Sequence, residues 1–156
     1  MEGRRRVARR GAVEALYCLD LLADPPEPVL AEVAARLQLS PSASDFMRQL
    51  VFTTLEQQRR IDAVLSSTIQ KWELSRLSYV DRAILRLGCC ELLFMPEIPT
   101  AVSINEGVVL ARFYGNEKSA QFVNGVLDAV CRAHPRKCQT EGTGRAQSAR
   151  IGQEAD

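Results

Sequence analysis

The sequence predicts an all-α protein. Apolar residues recur at spacings of three and four along most of the chain, nothing strand-like interrupts the series, and prolines or tight-turn residues separate the periodic stretches. With 156 residues, 46% of them hydrophobic, the chain has the size of one domain or of two small subdomains sharing a core.

The first helix is predicted from Gly3 to Leu22, with Val13, Leu16, Tyr17 and Leu21 on its buried side. Pro25, Pro26 and Pro28 break it, and a short second helix follows from Val29 to Leu37. Gln38 to Ser42, which includes Pro41, reads as a turn. A long helical stretch then runs from about Ala43 to Trp72, carrying Phe46, Leu50, Val51, Leu55, Ile61, Val64, Leu65 and Ile69. Gln57-Gln58-Arg59-Arg60 interrupts its apolar face, so it is one helix or two with a bend.

Ser78-Tyr79-Val80-Asp81 has the form of a capping box, with Asp in place of Glu. The helix it opens reaches about Phe94 and is apolar on more than one side, which marks it as the central helix of the core. Pro96 and Pro99 close it. Thr100 or Ser103 caps the next helix, Ala101 to Phe113, and Tyr114-Gly115-Asn116 is a tight turn. The last helix, Glu117 to Arg132, has Val123, Val126, Leu127 and Val130 as its stripe. Residues 135–156 are polar and are expected to be a disordered tail.

Several chemistries find no support. The one histidine, His134, lies at the edge of the tail, where a Ser-His-Asp or Cys-His site would not place it. No Gly-rich phosphate loop occurs. Cys18, Cys89, Cys90, Cys131 and Cys138 show no Cys-x-x-Cys spacing and read as small apolar residues in a reducing compartment, not as a zinc site. Glu91 and Glu106 are the nearest candidates for carboxylates of tuned acidity, and a structural role is the stronger reading for both. An enzyme is therefore disfavoured, with no catalytic residue, metal or cofactor expected. No membrane span and no signal peptide are expected either, which points to the cytoplasm.

Charge is the most uneven property. The first ten residues hold five arginines against Glu2, a net +4, while the rest of the chain sums to −3. Arg6, Arg9 and Arg10 share a helix face with Val13 and Tyr17, and Arg5 sits to one side. Cations at a helix N-terminus oppose the macrodipole by a few tenths of a kcal/mol each, so stability alone does not account for them. A polyanion does. Neutralising four or five phosphates of a single strand would give a log–log salt slope of roughly −3.

Phe122 lies roughly 90° from the centre of the last helix's stripe, at 100° per residue, which leaves the ring half exposed or at the border of the core. A half-exposed ring near cations can stack an unpaired base. Lys118, one turn upstream, adds a cation on that side, and Asn124 can read a base edge, cap or pack.

These residues also carry a resemblance. Arg5-Arg6 and Arg9 leading into Ala12-Val13-Glu14-Ala15-Leu16-Tyr17, the run Leu77 to Leu87, Ile98-Pro99 with Val102 to Glu106, and Lys118-Ser119 with Phe122-Val123-Asn124-Gly125-Val126-Leu127-Asp128 resemble, in order, segments of the NusB family of bacterial transcription antitermination factors. The resemblance covers most of residues 4–17 and 72–128 and is weak from Ala23 to Arg60. It implies a NusB-like helical fold of about seven helices over residues 1–134, with an N-terminal part (about 1–71) packed on a C-terminal bundle (about 72–134). It also implies binding to boxA-type single-stranded RNA in the leaders of ribosomal RNA operons. NusE, a small-subunit ribosomal protein, would be the partner, within a complex on RNA polymerase that includes NusA and NusG. Some relatives raise the option of a homodimer.

Residue by residue, Arg5, Arg6 and Arg9 match RNA-contacting arginines, and Phe122 matches the aromatic of the closing signature. Asp81 matches an acidic position on the NusE-facing helix, suited to a basic partner. The chain also departs from the family. Arg10 stands where an acid is common, Lys118 where relatives can be acidic, and Gly88-Cys89-Cys90 replaces a larger, often aromatic pattern. Two rivals remain at this level. One is a stand-alone homologue of the N-terminal domain of an rRNA cytosine methyltransferase. That relative tends toward Ala at Gly125 and Arg at Asp128, and its Rossmann-like cofactor domain is not seen here. The other is a helical scaffold binding protein alone, which would leave the arginines without purpose.

Overall fold

A computed structural model describes residues 3–69 and 74–136. The expectations for Trp72, Cys138 and the tail beyond residue 136 lie outside the described residues. Among those described, seven α-helices and one 3-10 turn account for the regular structure, with no strand. The helices are α1 (Arg4–Leu21), α2 (Pro26–Arg36), α3 (Pro41–Glu56), α4 (Gln58–Thr68), α5 (Tyr79–Phe94), α6 (Thr100–Tyr114) and α7 (Glu117–Ala133), with the 3-10 turn at Leu74–Arg76. The predicted all-helical class is the observed one.

The prolines start helices here. Pro26 opens α2 and Pro41 opens α3. A first-turn amide has no intrahelical acceptor, and the ring fixes a helical φ, so proline fits there at little cost. Both boundaries thus fall earlier than the sequence predicted. Ser40 caps α3 by accepting from the Ala43 amide at 3.2 Å. Between α2 and α3, Gln38 reverses the chain in the left-handed region, at φ 54°. The long stretch is two helices, broken at Gln57 within the polar run Gln57 to Arg60.

Helix α5 is the centre. It packs against α1, α3, α4, α6 and α7. Ten of its sixteen residues are buried, including Ile84, Leu85 and Leu87, so it is buried on most sides. The predicted cap forms, with Ser78 Oγ accepting from the Asp81 amide at 3.1 Å. Helix α6 differs from expectation. Pro99 occupies its N-cap position without a side-chain cap bond. Ser103 instead points inward, and its hydroxyl donates to Glu91 at 2.7 Å. Asn116 caps α7 by accepting from the Ser119 amide at 2.9 Å.

Small residues bring α5, α6 and α7 close. A Cβ placed on Gly88 or on Gly107 would lie 2.7 Å from the same Leu127 methyl. Leu127 therefore seats on two glycines of neighbouring helices, a packing role for Gly88 in the unusual Gly88-Cys89-Cys90 run. Both cysteines are fully buried beside it.

Beyond α7, Pro135 is exposed but Arg136 is buried. Its guanidinium donates to the Leu92 carbonyl at 2.8 Å and also to the carbonyls of Glu91 and Ile98. The polar stretch expected to begin at Pro135 therefore starts with an anchored cation. The last carbonyls of a helix lack intrahelical donors and carry the negative end of its dipole, so a guanidinium is well matched to them.

Candidate nucleic-acid interface

The first turn of α1 contains no acid. Arg4, Arg5 and Arg6 are exposed. From there the side chains fan to two sides. Arg5 lies over the Phe46 ring of α3, 4.2 Å from its centroid. Arg6 reaches the other way and grips Glu106 of α6 with two bonds of 3.1 and 2.7 Å. Arg10 also turns toward α6, its guanidinium 4.9 Å from the Phe113 centroid.

Arg9 corrects an expectation. Helical spacing puts it with Arg6 and Arg10 on one face, toward RNA, yet it is 4% exposed. Its Nε and Nη2 donate to the two Glu91 oxygens at 2.8 and 3.0 Å, and Nη1 lies 4.0 Å from Glu106. The reason is its register. Arg9 is one turn before the buried Val13, so its side chain follows the buried stripe inward to meet α5. Glu91 on a helix buried on most sides needs a cation, because an isolated buried carboxylate is costly. That need was the available signal for the pairing. Glu91 and Glu106, considered for tuned acidity, are arginine partners.

Phe122 lies elsewhere. It is partly buried and lines a cavity of about 480 Å³ together with Leu77, Ser78, Asp81, Lys118 and Ser119. Lys118 and Phe122 thus share a cavity, as their one-turn spacing implied. Asn124 is exposed on α7 but is not part of that lining. Asp81, expected to face a protein partner, is in the same cavity as the ring. Burial pushes its carboxyl above the usual range, while hydrogen bonds to Ser119 and Ser78 pull it down.

The cavity's cations are Arg76 and Lys118, and none of Arg5, Arg6, Arg9 or Arg10 lines it. The arginines of α1 and the Phe122 ring therefore lie in two separate regions. Helices α1 and α5 run antiparallel. Arg9 meets Glu91 at one end of the pair, and Asp20 meets Arg82 at 2.8 Å toward the other. Phe122 belongs with Asp81, ten residues and about 15 Å along α5 from Glu91.

Other side chains fix the frame. The Tyr114 hydroxyl donates to Glu14 at 2.7 Å, and Arg36 donates to the same carboxylate at 2.6 Å, so Glu14 ties α6 and α2 to α1. Arg86 pairs with Asp62 through two bonds of 2.8 and 2.9 Å. Sequence reasoning missed Phe113, which is 61% exposed. The adjacent aromatics Phe113 and Tyr114 at a helix end were a usable signal, since neighbours 100° apart cannot both face the core.

Residues 6–132 match the model of the NusB family. The chain belongs to the NusB family. The NusB transcription antitermination protein of Geobacillus kaustophilus is 41% identical over 127 residues, 81% of this chain and 95% of that one. The Bacillus mycoides NusB protein is 39% identical over the same length, 81% of this chain and 96% of its own. Among solved structures, T. maritima NusB superposes with a TM-score of 0.81 at 35% identity, covering 90% of this chain and 99% of that one. NusB in a complex of the antitermination factors NusB and NusE with double-stranded RNA gives 0.79 at 32% identity, covering 86% of this chain and 100% of its own. The helical architecture is thus that of NusB. Among the described residues, no helix is long and apolar enough to cross a membrane.

Proposed function

We propose that this NusB-family chain binds boxA-type single-stranded RNA from ribosomal RNA operon leaders together with NusE, and so promotes processive transcription. RNA polymerase with NusA and NusG is the assembly in which it would act, and the cytoplasm is where it would do so. The observation that carries the reading is the exposed, acid-free first turn of α1, with Arg4, Arg5 and Arg6 concentrating positive charge where the helix dipole disfavours it. The similarity to a NusB that assembles with NusE and double-stranded RNA supports NusE and RNA as partners here.

Arg5, Arg6 and Arg10 are the phosphate-contacting side chains in this reading. Arg9 acts through position, because its pair with Glu91 sets the azimuth of α1 and hence where its neighbours point. Phe122, Lys118 and Asn124 hold RNA bases on α7, and Asp81 meets NusE. Since Asp81 and Phe122 line one cavity, RNA and NusE converge there.

The test is a titration of the purified chain with boxA-type RNA, a scrambled strand of equal length and a boxA duplex, each with and without NusE. Tighter binding to the boxA strand, tightened further by NusE, is expected. Equal affinity for boxA and scrambled strands would favour a protein-binding scaffold, and preference for the duplex would overturn the single-strand assignment.

A further inference from the structure

We propose that Arg10 and Phe113 together form a second nucleotide-binding position, with the Phe113 ring taking an unpaired base and the Arg10 guanidinium the adjoining phosphate. The inference rests on the RNA-binding reading above and adds a site to it.

Phe113 is the most exposed large hydrophobic side chain among the described residues, at 61%. Its surroundings hold it in place. The Tyr114 ring stands edge-on to it, with centroids 4.9 Å apart and planes at 88°. Tyr114 is itself tethered by its hydroxyl to Glu14. A ring held edge-on by a tethered tyrosine and faced by a guanidinium loses little conformational freedom on binding, which favours stacking.

Arg10 supplies the charge. Its guanidinium, 4.9 Å from the Phe113 centroid, is within cation–π range, and its planar array of donors suits a phosphate. Arg6 lies one turn earlier on the same side of α1, so the cations run along α6 toward the ring. An aromatic platform beside a line of arginines matches the chemistry of single-strand binding, in which a ring stacks a base and cations follow the backbone. Every base has a π-face, so this position adds affinity without selecting sequence.

The experiment titrates labelled boxA-type and scrambled RNA strands with the full chain and its Phe113→Leu, Phe113→Tyr and Arg10→Gln variants across a salt series. Phe113→Leu should weaken both RNAs by about 10-fold or more, with unchanged salt slope and unchanged melting temperature. Phe113→Tyr, which keeps the ring, should bind within about 2-fold of the native chain. Arg10→Gln should reduce the salt slope by about 0.7, the value for one phosphate of a single strand. Native affinity in Phe113→Leu overturns the proposal, as does equal weakening by Leu and Tyr. Loss of NusE association with RNA binding intact would assign the ring to a protein contact and also overturn it. A native chain that binds no RNA removes the broader function with it. RNA binding that Arg5→Gln weakens and Phe113→Leu leaves intact removes this site alone.

Discussion

Arg9 and Glu91, 82 positions apart in the chain, meet through two hydrogen bonds of 2.8 and 3.0 Å with 4% and 2% of their side chains exposed. This contact fastens the arginine-bearing helix to the centre of the molecule. Removing one partner strands the other charge in the core, so Arg9→Ala should cost about 3–5 kcal/mol of stability. Urea denaturation measures it. A cost below about 1 kcal/mol would show that water or another group takes over the Glu91 charge.

Arg5 behaves differently because it is exposed and stacked on Phe46. Arg5→Gln should lower RNA affinity and flatten the log–log salt dependence by about 0.7. Stability should fall by no more than about 1 kcal/mol, the scale of an exposed cation–π contact. Salt-dependent anisotropy titrations and thermal melts on one preparation separate the two effects. A stability loss comparable to that of Arg9→Ala would move Arg5 from the surface role to a structural one.

In the proposed interface Asp81→Lys converts an acid opposite a basic partner into a cation and should weaken NusE association at least 10-fold, since like charges across an interface cost about several kcal/mol. RNA binding by the isolated chain should not weaken, because the new cation joins Lys118 in the cavity that holds Phe122. Calorimetry with NusE reads the first quantity and RNA titration the second. Unchanged NusE binding would place the interface elsewhere.

The fit of Leu127 against Gly88 makes that glycine sensitive to size. Gly88→Ala forces a methyl to within 2.7 Å of the Leu127 side chain and should cost about 1–3 kcal/mol. Leu127→Val in the same chain should recover part of it, a coupling of at least about 0.5 kcal/mol in a double-mutant cycle. Strict additivity would mean that the strain is relieved by some other movement.

Burial pushes the Cys89 thiol up to about 12 and the Cys90 thiol up to about 11, from an ordinary 9.0. Both should resist alkylation in the native chain at pH 8, while the partly exposed Cys18 and Cys131 react. For stability the sign is unfavourable at high pH. The unfolded chain releases these protons near 9.0, and the folded chain holds them until about 11 to 12, so stability is undiminished below pH 9 and falls as pH rises through that window. Mass spectrometry of native and urea-unfolded samples, with denaturation midpoints from pH 8 to about 11, tests both statements.

Much of the fold is legible in the chain because helical periodicity is a local property. The stripe Val123, Val126, Leu127 and Val130 and the Ser78 cap are examples. The proline-led starts of α2 and α3 were misplaced because the same residue ends one helix and begins the next, and only the backbone decides which. The site was less legible. Arg5 and Arg9 differ by four positions in one arginine-rich segment, yet one faces solvent and the other is buried against Glu91. That outcome depends on a helix more than eighty residues away, which no local window contains. Phe122 and the arginines looked adjacent as chemistry, but the antiparallel packing of α1 on α5 sets them at different ends.

The three carbonyls gathered by Arg136 belong to the end of α5 and to the connection leading into α6, while Arg136 itself trails α7. One side chain thereby rivets the end of α7 to the junction between α5 and α6. Amide protons in the final turns of α5 and α7 should then exchange with solvent as a single cooperative unit, with fraying of either end suppressed until the rivet opens.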